Sequence, residues 1–284
     1  MLTVIDMRCD PMIESSLTAA AFGDQPGRWP LPTASTPRQL WLRAVTAGGQ
    51  GRYGSARGDL ATLLRSAPPA RLASLAHSTQ GSFLRQLGWH TLARGCDGRA
   101  LALAGADAEA GADALIGLAA DALGAGRLAA SATLLGRADR ILAAVRPHRL
   151  SVRRAWVAAE LAMAAGDGAT AVRHAEAAVE LAAVTVDESA EEPGHQQLSA
   201  RHLAKSDVVL AAALCSAGAV DRARAVGDAA LERTGRLGLV PLRWALACLL
   251  LDVGSQTRTT AELRDIRDVC AEQVRKAGGT WRER

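Results

Sequence analysis

"AAGDGATAVRHAEAAVELA" (residues 164–182) is the stretch that decides the fold. Its alanines follow a Gly-Asp break at near-helical spacing, and Ala171, Ala175 and Ala178 make an i, i+4, i+7 stripe on one face. Alanine has the best helix propensity but little surface to bury. Such a helix gains stability by letting another backbone come close. Helix axes approach to about 8–10 Å, nearest where small side chains occupy the seam. The stretch predicts a tightly packed architectural helix with almost no chemistry in it.

The same texture extends outward in both directions. From Gln39 onward the chain reads as helix, short break, helix, and nothing alternates long enough to be a strand. Helices are predicted over 37–48, 53–65, 71–86, 90–104, 109–124, 127–143, 151–165, 168–183, 199–216, 219–234, 240–252 and 259–277. Within successive helix pairs the break carries Gly51, Gly88, Gly126, Gly166, Gly218 and Gly254, where a helix end favours a left-handed residue. Seven residues before these glycines stand Ala44, Gly81, Ala119, Ala159, Ala211 and Ala247. Five after come Ala56, Ala93, Ser131, Ala171 and Ala223, then Thr259; twelve after come Leu63, Ala100, Ala138, Ala178 and Ala230. One pair cannot bury its own apolar face, so successive pairs must stack, with several small cores in series.

This pattern resembles the tetratricopeptide repeat, a helix-turn-helix unit of about 34 residues with small residues at its eighth, twentieth and twenty-seventh positions. With each turn glycine at position fifteen, the small residues above fall on those places. "GRYGSARGDLATLL" (51–64) and "GDGATAVRHAEAAVEL" (166–181) look closest, and the resemblance covers about residues 38–256. Trp41, Trp156 and Trp244 fall at the fifth position, one beyond the family's tryptophan. The resemblance implies an all-α fold: a right-handed superhelix of about six stacked antiparallel helix pairs, over residues 37–278. Residues 1–36, rich in proline, are expected to be an irregular or mobile leader. The acidic stretch 185–198, with Asp187, Glu188, Glu191 and Glu192, reads as a solvated loop inside the repeat domain; an acidic docking or self-masking strip is the alternative.

The resemblance also implies which residues face the concave side: positions two, five, six, nine, twelve and thirteen of each first helix. In the second pair these include Ser78, Thr79, Ser82, Arg85 and Gln86, an unusually polar set. Elsewhere they include Arg38, Trp41, Asp113, Arg153, Trp156, Glu160 and Lys205, and Trp244 also falls on this face. Ser78, Thr79, Ser82, Arg85, Gln86, Arg153, Trp156, Glu160 and Lys205 are the candidate partner-binding residues. In the family's chaperone-binding branch, basic residues and Asn clamp a peptide's terminal carboxylate. Arg38, Arg153 and Lys205 supply the basic half, but the chain has no Asn. Asp97 stands where the family places a large apolar residue, and a buried carboxylate is expensive unless paired. Arg85, His90 and Arg94 are its local candidates, so His90, Arg94 and Asp97 form a candidate buried polar cluster.

Composition narrows the function. The 284 residues are 49% hydrophobic but only 3% aromatic, which implies aliphatic cores. Net charge is +4 with Asp and Glu interspersed, so no basic block marks a nucleic-acid binder. Lysine occurs only at Lys205 and Lys276, a bias matching GC-rich genomes such as those of actinobacteria. Five widely spaced cysteines without a CxxC argue against a disulfide framework and a zinc site; Cys215, Cys248 and Cys270 read as buried thiols. No HExxH, GxSxG or Walker loop occurs, and no GxGxxG follows a strand. Neither a signal peptide nor a membrane span is legible, so the expected setting is cytoplasmic.

The resulting expectation is a non-enzymatic scaffold or regulator that binds a protein or peptide through its concave face, with no cofactor or metal. The second reading is a sensor of a small molecule or signalling peptide that acts through a partner; a closed pocket would favour it over an open groove. A nucleic-acid-binding solenoid ranks third. Oligomeric state is left open, a homo-oligomer included.

Overall fold

The computed structural model describes residues 11–145, 148–183 and 199–282. The acidic stretch 185–198 lies outside the described residues, as do residues 1–10. Among the described residues there are thirteen α-helices and no strand. They are α1 (Pro11–Phe22), α2 (Pro37–Gly49), α3 (Tyr53–Arg65), α4 (Ala70–Gln86), α5 (His90–Ala104), α6 (Ala108–Gly124) and α7 (Leu128–Val145). Then follow α8 (His148–Ala164), α9 (Gly168–Ala183), α10 (Ala200–Ser216), α11 (Val220–Arg236), α12 (Val240–Val253) and α13 (Thr260–Lys276). From α2 to α13 every helix predicted from the sequence is present, with ends shifted by at most a few residues.

Gly166 shows how the turns are made. Its φ is +77°, in the left-handed region that side chains disfavour. That reversal lets the Asp167 amide donate to the Ala162 carbonyl at 2.9 Å and the Gly166 amide to the Met163 carbonyl at 3.0 Å, so orphan carbonyls of α8 are satisfied. All six turn glycines identified from the sequence have positive φ.

The small residues face inward as expected. Ala44, Ala119, Ala159, Ala211 and Ala247 are all fully buried, as are Ala56, Ala93, Ser131, Ala171 and Ala223. Each helix packs on the next, and the even-numbered helices also pack on one another: α2 on α4, α4 on α6, α6 on α8, α8 on α10 and α10 on α12. The odd-numbered helices lie further apart. The even helices therefore form an inner circle and the odd ones an outer circle, which bends the row.

The bend brings the two ends of the row together. The Gly54 amide donates to the Ala277 carbonyl at 2.7 Å, and the Arg57 guanidinium to the Gly278 carbonyl at 2.6 Å. The Trp89 indole donates to the Thr280 carbonyl at 2.7 Å, and the Arg282 amide to the Leu87 carbonyl at 2.9 Å. Val274 of α13 sits in the same apolar cluster as Leu42, Tyr53 and Phe83, with Trp281 packed against it. Other clusters follow in series, around α6–α8, α8–α10 and α10–α13.

Residues 11–36 depart from the expected irregular leader, because 11–22 form α1. Leu17, Ala20, Ala21 and Phe22 are buried and pack along α2. A helix of this length is marginal alone and is held by tertiary packing, which no local pattern records. The irregular stretch beyond it is anchored as well: the Gly23 carbonyl accepts from the Ala200 amide at 3.0 Å, and Gln50 donates to the Pro26 and Arg28 carbonyls. Cys270 is buried as expected, whereas Cys215 and Cys248 are only half-buried.

Close approach also explains Gly48, whose missing side chain makes room for the ring of Phe83. Gly48→Ala is expected to cost about 1–3 kcal/mol by overpacking. Gly136→Ala, on an exposed stretch of α7 with open space around it, is expected to gain about 0.5–1 kcal/mol. Urea unfolding of the two variants checks the contrast.

Candidate functional site

The inner circle surrounds a cavity of about 450 Å³. Its wall takes residues from every even helix from α2 to α12, and Phe22 at the end of α1. All nine candidate partner-binding residues line it: Ser78, Thr79, Ser82, Arg85 and Gln86 from α4, Arg153, Trp156 and Glu160 from α8, and Lys205 from α10. His90 lines it too. What the sequence presents as an open concave face is a partly open cavity, with the two ends of the row in contact.

Two other concave-face candidates lie elsewhere. Arg38 pairs with Glu14 of α1 at 2.5 Å, and Trp244 stacks on Trp281 with centroids 4.2 Å apart. Neither lines the cavity.

The apolar part of the wall mixes aromatic rings with aliphatic side chains such as Val45, Ile116, Leu123, Val157 and Leu242. The Trp41 indole donates to Thr79 Oγ1 at 3.0 Å and the Trp156 indole to Ser206 Oγ at 2.8 Å, so both ring planes are fixed. Trp156 stacks on His202 at 5.4 Å, and Phe22 lies 5.4 Å from Trp41 and 6.4 Å from His202. Phe22 thereby reaches from the α2 side to α10. Burial, reinforced by Arg201, Arg149 and Arg153, holds His202 well below the usual imidazole range, so it is neutral.

Asp97 is fully buried, as its place in α5 implies. Its partner is Arg85, which also binds Asp121 of α6 at 3.0 Å. Arg94 is not in this cluster: it lies exposed on the outer face of α5. His90 packs instead against Gly124, where a side chain would collide with the imidazole. The buried cluster is therefore Asp97, Arg85 and Asp121 rather than His90, Arg94 and Asp97. Helical registry places Asp97 and Arg94 nearly a turn apart, yet only one of those directions faces α4 and α6.

Two glycines admit the Asp97 carboxylate. A methyl on Gly81 would come within 2.6 Å of it, and one on Gly117 within 2.5 Å. Two carboxylates sharing one guanidinium leave a negative excess in a dry place. Burial pushes the Asp121 carboxyl up to about 7; Asp97 adds to that rise, and Arg85 opposes it.

A second run of cations crosses the wall on α8 and α10. Arg153 pairs with Asp113 of α6; Arg149 lies 3.4 Å from Asp113 and 3.6 Å from Glu109; Lys205 lies 3.2 Å from Glu160. Burial lowers Arg153 and Arg201 to about 10, with Arg85 and Arg201 acting further on the first and Arg149 on the second. Both remain charged near neutrality. Arg149, Arg201 and Phe22 are wall residues that the sequence reading leaves out. Arg149 and Arg201 each stand four residues before a candidate, Arg153 and Lys205, one helical turn ahead of the repeat's first position. That spacing was the available signal. Phe22 had none, because its helix is held by long-range contacts.

Among the described residues no group of His, Cys, Asp and Glu is arranged to hold a metal ion. None of their helices is long and apolar enough to cross a membrane. No protein-family model matches the chain, and the search of curated proteins finds no match either.

Asp121 makes the cluster pH-sensitive in a defined direction. A carboxyl raised in the folded state contributes stability that is full below its unfolded value of 3.8 and is lost as pH rises through about 7. Wild type is expected to lose on the order of 2 kcal/mol relative to Asp121→Asn between about pH 4 and pH 7. Denaturant melts of both proteins across that range measure it.

Proposed function

We propose that this chain is a non-enzymatic receptor of tetratricopeptide-like architecture, about six right-handed helix pairs around a central cavity that holds a small molecule. The observation that carries the reading is the convergence of the inner-face positions of successive helices on one cavity. Its volume, about 450 Å³, falls in the range of small-molecule sites, about 300–1,000 Å³. Its wall joins fixed aromatic faces to a few charged groups, the usual composition of such sites. The carboxylates that face it, Asp113 and Glu160, are tied up in ion pairs, which speaks for recognition over acid–base chemistry.

The alternative is a scaffold whose concave face takes an extended peptide or a partner's helix. It requires an open row of hairpins, and the contacts of residues 277–282 with α3, α4 and the start of α5 work against that. In the receptor reading a protein partner acts downstream: occupancy of the cavity changes how the ring is wound, and the partner senses that change.

A plug tests the reading. Ser82→Trp places an indole in the cavity from α4. In a thermal-shift screen of metabolite fractions, a ligand at about 100 times its Kd is expected to stabilise wild type by about 2.7 kcal/mol. The plugged variant should melt at or above the unliganded wild-type temperature and give no shift. Equal shifts in both proteins would remove the cavity from the function.

A further inference from the structure

Four of the five cations on the cavity wall are already answered by carboxylates. Arg85 lies between Asp97 and Asp121, and Arg153 against Asp113. Arg149 shares Asp113 and Glu109, and Lys205 takes Glu160. Arg201 differs. Its one hydrogen bond goes to a neutral acceptor, the Val45 carbonyl, at 3.3 Å, and no carboxylate among the described residues lies within salt-bridge distance. Room for it is made by Gly49, where a methyl would sit 3.1 Å from Arg201 Cδ. A half-buried guanidinium without a counter-charge is costly, and the α8–α10 side of the wall is one negative charge short: Arg149, Arg153, Arg201 and Lys205 face Asp113, Glu109 and Glu160.

Other groups in the wall lack acceptors as well. Ser78 Oγ, on a residue only 4% exposed, and Arg85 Nη2 are buried without a protein partner. Both can donate to a ligand oxygen. Beside Arg201, His202 stacks on Trp156, and Phe22 faces Trp41. The deficit is thus a single charge, next to flat apolar faces.

We propose that the cavity takes a small aromatic acid, a monoanion whose carboxylate pairs with Arg201 and whose ring lies against Trp156 and Phe22. This rests on the receptor reading of the cavity. It differs from a peptide clamp at the family's basic positions, since Arg38, Arg153 and Lys205 are each neutralised by Glu14, Asp113 and Glu160. A doubly charged phosphate would overshoot the one charge that is missing.

The test is calorimetric titration of wild type, Arg201→Gln and Arg201→Lys with 2-naphthoate, its neutral amide 2-naphthamide, and the tripeptide Gly-Gly-Phe, each up to about 10 mM. Wild type is expected to bind the acid at least about tenfold more tightly than the amide. Arg201→Lys should keep most of that preference, and Arg201→Gln should lose it while still binding the amide. Thermal melts show whether each variant is folded; removing an unpaired cation should leave the melting temperature of Arg201→Gln at or above that of wild type. Equal binding of acid and amide by wild type, or an undiminished preference in Arg201→Gln, overturns the charge assignment and leaves the cavity reading standing. Tighter binding of the tripeptide than of the naphthoate overturns the small-acid assignment in favour of a chain end. No binding of any probe, by wild type or either variant, overturns both the acid and the cavity.

Discussion

The structure depends on close contact between helices across seams of alanine and glycine. Ala44, Ala119, Ala159, Ala211 and Ala247 hold equivalent places in successive hairpins, and each is fully buried. Small residues there let the backbones approach, and dispersion accumulates over the whole seam rather than at a few large side chains. The cost is that one hairpin has little apolar surface of its own. Stability must come from stacking, so the cores run in series along the row.

Curvature follows from an asymmetry in that stacking. Even-numbered helices touch one another and odd-numbered ones stand apart, so each added hairpin turns the row toward its inner face. When the turn brings α13 and the segment after it to α3 and the start of α5, the backbone hydrogen bonds at Gly54 and Arg282 and the buried Val274 fasten the two ends. The groove becomes a partly open cavity. Groups that would be solvated on an open concave face become half-buried, and their charges must then be balanced within the protein.

That balance explains the chemistry of the wall. Asp97 is tolerated in α5 because Arg85 reaches it, and because Gly81 and Gly117 leave space for the carboxylate. Asp121 adds a second carboxylate to the same guanidinium, and burial, helped by Asp97, lifts its proton affinity toward neutrality. On the other side of the cavity the sign reverses: Arg149, Arg153 and Arg201 crowd together and add to the burial that keeps His202 neutral. The acid proposed for the cavity rests on this division between a pole with an excess of carboxylate and one that is short of negative charge.

Helix after helix, α2 to α13, was legible in the sequence, because turn glycines and small seam residues act locally and repeat in register. The same register brought Ser78, Arg85, Trp156 and Lys205 into one set before any contact was known, since the inner face of a hairpin is a matter of helical phase. Three things required the tertiary structure. Helix α1 has no sustained period, and its burial of Leu17 and Phe22 is fixed by α2. Asp97 had three candidate partners in sequence, and only packing selected Arg85 and added Asp121, which lies on another hairpin. Closure of the row is the third: it depends on small angles summed over every seam, and sequence periodicity carries phase along a helix but no angle between helices.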